Sequence, residues 1–293
     1  MDIWHRLGRI FRLSNLGTLI FFMLNVGLII LMFYPWSVTL PGVLILVGLY
    51  AVTLLISLSP VGEWLLGVFA GAREIKRTDF KLKLLPLVDV VHEQAMALTP
   101  DIVKKIRIKM VPDEGINAYV IGRRTLCVTQ DFMNLTDDEA MAILAHEMGH
   151  LAYRHSVVQL LIGGGNVFIT GFLLTIKAVS WMITGIFTLI GISSGRLGRG
   201  ILLTLVGGIS TLMVFLWTKF CMLFLMRSSR RNEFTADEYA YNLGYGTMLA
   251  SVLDRAIAER PTQGLLKALY ASHPSNDDRV AHLQELGANY SRY

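Results

Sequence analysis

The sequence predicts an α-helical membrane protein of about four spans that also carries an α+β portion with a small β-sheet. Three observations predict this. The 293-residue chain is 53% hydrophobic and only 17% charged, with a mean hydropathy of +0.51, too apolar for an ordinary soluble domain. Its apolar residues gather in runs at 16–34, 40–58 and 157–226, lengths that suit bilayer crossing. Elsewhere the chain turns polar and shows helical and strand-like periodicity, leaving room for one soluble domain of moderate size. The predicted organisation is a transmembrane hairpin over 1–60, a first soluble part over 61–156, a second hairpin over 157–226 and a second soluble part over 227–293.

Each element follows in order. Residues 16–34 are apolar apart from Asn25, and at about 1.5 Å per residue they nearly cross a bilayer core. The run ends in FYPW, aromatics suited to the interface, whereas a cleaved signal peptide has a shorter core ending in small residues. A second run covers about 40–58. Arg6, Arg9 and Arg12 precede the first run, and Arg73, Lys76, Arg77, Lys81 and Lys83 follow the second. The positive-inside rule then places the N-terminus and the region after residue 60 in the cytoplasm. LLPLVDVVHEQAMAL (84–98) reads as an amphipathic helix. IRIKMV (106–111), NAYVIG (117–122) and TLCVTQDF (125–132) read as short strands. The next helix starts at Thr136, an N-cap with Glu139 three residues on, as in a capping box; Asp137, Asp138 and Glu139 suit the positive end of its dipole.

Residues 157–226 are interrupted by GGGN (163–166), Lys177 and SSGRLGRG (193–200). Two spans fit, one ending near 192 and one over about 201–226, with Lys177 snorkelling or facing protein or water. After 226, RRNEFTADEYAYNLG, GTMLASVLDRAIAER and SNDDRVAHLQELG are three candidate helices. The net charge of +5 lies beside apolar runs, which fits lipid headgroups, and no nucleic-acid motif is present. Cys127 and Cys221 form neither a disulfide framework nor a CxxC pattern.

The chemistry-bearing stretch is LAHEMGH (144–150). His146 and His150 are four apart, so on a helix both imidazoles project from one face and can hold one zinc ion. Glu147 lies beside them, able to take a proton from an activated water without ligating the metal. HExxH also arises by chance. Here, however, it sits in an apolar helix, where unpaired polar groups are expensive. RRNEFTADEYA offers the missing ligand, Glu233, and a partner for a ligand histidine, Asp237, four residues on the same face. Taken alone, Arg230, Arg231, Glu233, Asp237 and Glu238 would read as a solvated charged face. For Glu233 to meet His146, an even number of crossings must separate them, which favours two spans over three in 157–226.

HExxH, an apolar hairpin and an ExxxD helix resemble the HtpX-type membrane zinc metalloproteases, relatives of the CAAX prenyl-protein proteases. NAYVIG is similar to that family's Asn-Ala-Phe segment, with Tyr119 in place of Phe. SHPSNDDRV (272–280) is similar to its later His-Pro…Arg segment. The resemblance implies a cytoplasm-facing, zincin-like (gluzincin) α+β domain over about four spans, one Zn2+ per chain, and the inner membrane of a bacterium. It implies His146, His150 and Glu233 as ligands, Glu147 as general base and Asp237 as the partner behind a ligand. Asn117, Ala118 and Tyr119 become an edge strand for substrate backbone, and His273 and Arg279 become oxyanion donors. Otherwise His273 is a helix-boundary residue before Pro274, and Arg279 a surface charge. His155 falls off the ligand face and reads as an interface residue, Tyr239 as packing or an oxyanion donor, and His5, His92 and His282 as ordinary histidines.

The leading function is therefore a membrane-integral zinc endopeptidase acting in quality control on unstructured, cytoplasm-accessible segments of membrane proteins. A prenyl-protein or signal-fragment protease is the alternative within the class. A zinc-stabilised scaffold and a transporter are the alternatives outside it. The scaffold has no use for Glu147, and the transporter lacks an inverted repeat.

Overall fold

The structure is a computed structural model that describes residues 16–32, 39–158, 160–161, 230–255 and 275–291, with scattered helical positions between 171 and 217. The chain divides into two compact units. One comprises Met1–Arg6, Ile56–Leu161 and Leu225–Tyr293; the other comprises Leu7–Leu55 and Ile162–Phe224.

In the second unit, α1 (Leu16–Met32) and α2 (Leu40–Leu58) are almost wholly apolar. Ile29, Leu46 and Tyr50 form a small buried cluster with Trp217 beside it. Asn25, the polar group in the first run, is buried, and its Nδ2 donates to the Phe21 carbonyl of its own helix at 2.9 Å, while its Oδ1 finds no partner among the described residues. Among the described residues, α2 is the one helix long and apolar enough to cross a membrane. The expected count of about four spans is thus not reproduced: α1 has 17 residues, and the third and fourth expected spans lie mainly outside the described residues. Lys177, GGGN and Cys221 lie outside them too.

The other unit begins where the helix breaks at Ser59. Ser59 Oγ donates to the Ile56 carbonyl and accepts from the Val61 N–H at 3.1 Å, with Pro60 at the first helical position. This starts α3 (Pro60–Phe69), a helix not anticipated from the sequence. Strand β1 (Arg73–Glu74) is also new. Helix α4 (Thr78–Leu98) begins six residues before the expected start and carries Pro86 inside it. It buries Leu84, Val88, Val91 and Ala95 in the main core, a 4–3–4 spacing that keeps them on one face.

Strands β2 (Arg107–Val111), β3 (Ala118–Ile121) and β4 (Thr125–Thr129) complete a mixed sheet of order β1-β2-β4-β3. β2 runs parallel to β4, and β3 pairs antiparallel with β4, with Tyr119 opposite Cys127. The expected third strand ends early. Asp131–Asn134 form a 3-10 turn in which Asp131 accepts the Gly115 N–H at 2.9 Å, the side-chain-to-backbone bond by which Asp competes with a strand ladder. Helix α5 (Asp137–Ala152) starts with the expected capping box between Thr136 and Glu139. The helical residues 230–242 (α6), α7 (Gly246–Arg255) and α8 (Asn276–Glu285) finish the unit. α5 packs on α4, α7 and β3, so it runs through the middle of the core.

Candidate metal centre

The centre lies where α5 meets α6. Their approach depends on Gly149: a Cβ there would lie 2.8 Å from Ala236 Cα and 3.0 Å from Tyr239 Cβ. Gly149 opposite Ala236 lets the two helices close, and Glu233, one turn before Ala236, then reaches His146 and His150. Tyr239 fixes the other side of α6, its hydroxyl donating to the Ala95 carbonyl at 3.2 Å and accepting from the Thr99 hydroxyl at 3.1 Å. That settles Tyr239 as a packing residue committed to α4.

His146 Nε2 lies 3.2 Å from His150 Nε2 and 3.3 Å from one Glu233 oxygen, and His150 Nε2 lies 3.3 Å from the other. A tetrahedral ion with bonds of about 2.0–2.1 Å separates its donor atoms by roughly 3.3 Å. One donor atom from each of the three side chains lies within 4.8 Å of the other two, close enough to converge on one ion, and two imidazoles with one carboxylate are a donor set that zinc accepts. Among the described residues they are the one His/Cys/Asp/Glu group with metal-binding geometry. His146 and Glu233 are buried, whereas His150 is partly exposed.

Behind the ligands stands a layer of hydrogen bonds. His146 Nδ1–H donates to Asp237 Oδ1 at 2.9 Å, which turns the Nε2 lone pair towards the shared corner. Arg279, from the first turn of α8, donates to both Asp237 oxygens, Nε at 2.8 Å and Nη2 at 2.5 Å. Its Nη1 lies 3.5 Å from Glu233. Burial alone would raise the Asp237 pKa, but the Arg279 guanidinium outweighs it and holds the carboxylate ionised. In the metal-free site, burial and Arg279 push the His146 pKa down, but its bonds to Asp237 and Glu233 prevail and raise it to about 9.

His150 has a partner that sequence reasoning missed. Its Nδ1 lies 3.0 Å from His155 Nδ1. On an unbroken helix, residue 155 would leave the ligand face. The helix breaks first: Arg154 takes a left-handed conformation (φ 59°) and its carbonyl accepts from the N–H groups of Val157 and Val158. Ser156 Oγ then anchors the new turn to the Gly122 carbonyl. The break swings His155 back against His150. Burial, with the neighbouring His150, holds the His155 pKa well below the usual range, so it stays neutral and can accept the His150 Nδ1–H. The HxxxxH spacing was the available signal, readable only with the helix break in hand.

The sequence model of peptidase family M48 matches residues 87–287, the span that contains this whole centre. The chain belongs to peptidase family M48. It is 29% identical over 193 residues to the "Protease HtpX homolog" of Desulfotalea psychrophila, a match covering 59% of this chain and 65% of that protein. It is 27% identical over 158 residues to the "CAAX prenyl protease 1 homolog" of Caenorhabditis elegans, covering 53% of this chain and 34% of that protein. The chain thus spans under two thirds of the length of either relative. A crystal structure of Ste24p from S. mikatae is similar at a TM-score of 0.45 and 18% identity, over 81% of this chain and 57% of that one. Within family M48, the curated similarities are to HtpX-type and CAAX prenyl proteases.

Of the residues expected to act in this M48 centre, the structure brings together His146, Glu147, His150, Glu233, Asp237 and Arg279. Glu147 Oε1 stands 4.0 Å from His146 Nε2. Arg279, expected at the oxyanion, is committed to Asp237 instead. His273 lies outside the described residues. Ala118 and Tyr119 sit on β3, at the sheet edge next to α5, and Asn117 just precedes them. Asn117 pairs through its backbone, its N–H donating to Thr129 Oγ1 at 3.0 Å and its carbonyl accepting the Thr129 N–H at 3.0 Å. His92, expected as an ordinary exposed or half-buried histidine, is instead buried, its Nε2 donating to the Val103 carbonyl at 2.7 Å.

Proposed function

We propose that the chain is a membrane-integral zinc endopeptidase that cleaves unstructured, cytoplasm-accessible segments of membrane proteins. The observation that carries this reading is the three-cornered donor set of His146, His150 and Glu233 with Glu147 beside it. Zinc bound there supplies Lewis acidity towards water and a peptide carbonyl. Glu147 accepts the proton of the attacking water and delivers it to the leaving amine. Asp237 and His155 each hold the outward N–H of a ligand imidazole, so both ligands keep the tautomer that presents Nε2. Arg279 neutralises Asp237 and steadies Glu233, which makes it a positioning residue, and oxyanion donation falls to His273 in this scheme.

β3 is the terminal strand of the sheet and packs on α5, so a substrate held along it as an added strand contributes main-chain hydrogen bonds that ignore its sequence. That suits the clearing of unfolded segments. In this reading the apolar unit lies in the bilayer and the unit bearing the metal centre faces the cytoplasm. The C. elegans relative favours a second reading, cleavage of prenylated proteins. Comparing a prenylated peptide with its unmodified twin separates the two.

The test is cleavage of an unfolded protein such as casein by detergent-purified, zinc-loaded protein, beside a folded, zinc-retaining Glu147→Gln variant. Loss of about 10²–10⁴-fold in rate is expected from removing a general base. Equal rates in the two would overturn the proposal.

A further inference from the structure

Helix α3 is inside out. Val61, Trp64, Leu65, Val68 and Phe69 are all exposed, Trp64 at 59% and Phe69 at 69%. They stand at i, i+3, i+4, i+7 and i+8, which is one continuous apolar stripe. The opposite face is the inner one. Gly62 and Gly67 are buried there, Leu66 packs beside Val111, Ile121 and Cys127, and Glu63 points at the sheet. Glu63 accepts from the Arg123 N–H at 3.2 Å and from the Thr125 hydroxyl. Gly122, at φ +66°, leaves room for it: a Cβ at Gly122 would lie 2.8 Å from the Glu63 side chain. Glu63 thereby closes the turn between β3 and β4.

An apolar stripe of this kind needs a cover, and what surrounds it in the chain identifies the cover. α3 follows directly on α2, the candidate span, after the break at Ser59. The segment after it exposes Arg73, Lys76 and Lys81, together with Arg77, which pairs with Asp79; the cations outnumber the exposed Glu74 and Asp79 and suit anionic headgroups. The stripe carries no charge of its own, and an aromatic-rich apolar face beside basic residues is the pattern of a helix lying in a membrane interface.

We propose that α3 lies in the bilayer surface on its Val61–Phe69 stripe and that Glu63, on its inner face, ties the β3–β4 turn to it. This rests on the membrane reading above. It adds a lipid-surface site that also holds the sheet edge where substrate is proposed to bind.

The test uses the full chain in nanodiscs containing anionic lipid, with single cysteines spin-labelled at positions 61, 64 and 68. Cys221 is replaced by Ser. Cys127 stays, because it is fully buried and burial raises its thiol pKa to about 12, which keeps it unlabelled. Collision with oxygen against a water-soluble nickel chelate reports depth. The three labels are expected about 5–10 Å below the headgroups. A label at Asp89, which is exposed, gives the aqueous reference, and one at Leu49 in α2 gives the span reference. If labels 61, 64 and 68 match the Asp89 label while Leu49 reports lipid, the interfacial helix is rejected and the span survives. An aqueous Leu49 as well rejects the membrane reading itself. Labels shielded from both reagents mean a protein covers the stripe, which also rejects a lipid site.

Glu63→Ala tests the tie. The labels should keep their depth while hydrogen exchange across residues 122–125 rises about tenfold or more, as expected on losing hydrogen bonds to a charged group. Unchanged exchange overturns the tie.

Discussion

At the α5–α6 centre the chain buries His146, Glu147, Glu233, Asp237 and Arg279, while along α3 it exposes Val61, Trp64, Leu65, Val68 and Phe69. Both regions reverse the ordinary sorting of polar and apolar residues, and the reversals differ in kind. Buried polar groups are tolerable only when paired, and here each pairing aims the next: Arg279 fixes Asp237, Asp237 fixes His146, and His146 faces Glu233 and His150. Exposed apolar groups need no internal order, only a partner outside. The first reversal is therefore legible down to single atoms, and the second only as a face. Substitutions at the centre should act steeply and residue by residue. On the α3 stripe, single changes should be mild and should add up.

The largest effect is expected where pairing is most complete. Asp237→Ala leaves the Arg279 guanidinium buried without the carboxylate that now takes two of its hydrogen bonds. Removing one partner of a buried ion pair costs about 3–5 kcal/mol, and Glu233, 3.5 Å from Nη1, keeps the loss towards the lower end. Chemical denaturation should report a loss of that size, with zinc no longer retained. Asp237→Ala together with Arg279→Met should recover part of the stability without recovering zinc binding. If the double variant is no more stable than the single one, the charge argument fails.

Gly149→Val comes next. Its branched side chain meets Ala236 and Tyr239, and overpacking of this kind costs about 1–3 kcal/mol. Because α6 carries Glu233, the displacement should also move a ligand. Zinc should bind more weakly even where circular dichroism shows the fold intact. A variant with wild-type zinc affinity would mean that the close approach of the helices does not set the Glu233 position.

These contrasts also bear on what could be read from the sequence. The pairing of His146 with His150, the pairing of Glu233 with Asp237, and the capping box were legible because helix periodicity is short-range: residues four apart share a face whatever the rest of the chain does. The strands were legible from their composition; the edge position of β3, expected only from the family resemblance, is given by the pairing order. Three things were hidden for physical reasons. The apolar run hid α3, because periodicity cannot separate one long helix from two when only Ser59 and Pro60 mark the break. Arg279 read as an oxyanion donor by resemblance, or else as a surface charge, and its bond to Asp237 was hidden because the two lie 42 positions apart. His155 looked misplaced because an unbroken helix was assumed, and a left-handed arginine is a rare conformation that no local pattern announced.

His155 gives a sharper comparison within the centre itself. Removing the group that orients a metal-bound imidazole typically costs 10–100-fold in metal affinity. His155→Ala should lose about that much zinc affinity in competition with a chelating dye, with stability of the metal-free protein little changed. His155→Asn, whose carbonyl can still accept the His150 Nδ1–H, should recover most of it. Equal losses in the two variants would point to packing against Tyr153, whose ring stacks on His155 at 5.7 Å, in place of orientation.

A pH dependence separates the metal-free from the loaded centre. The metal-free His146 has its pKa raised from 6.5 to about 9. A raised pKa means that folding favours the protonated ring. That contribution is complete below the unfolded value near 6.5 and disappears as pH climbs through about 9. Zinc needs the Nε2 lone pair, so binding between pH 7 and 9 must expel this proton. Apparent zinc affinity, corrected for the competitor's own titration, should then rise about tenfold per pH unit over that window and level off above it. Asp237→Asn removes the carboxylate that helps hold the proton, so its plateau should begin at lower pH. A flat profile from 7 to 9 in the native chain would show that His146 is already neutral there and that Asp237 and Glu233 do not hold its proton.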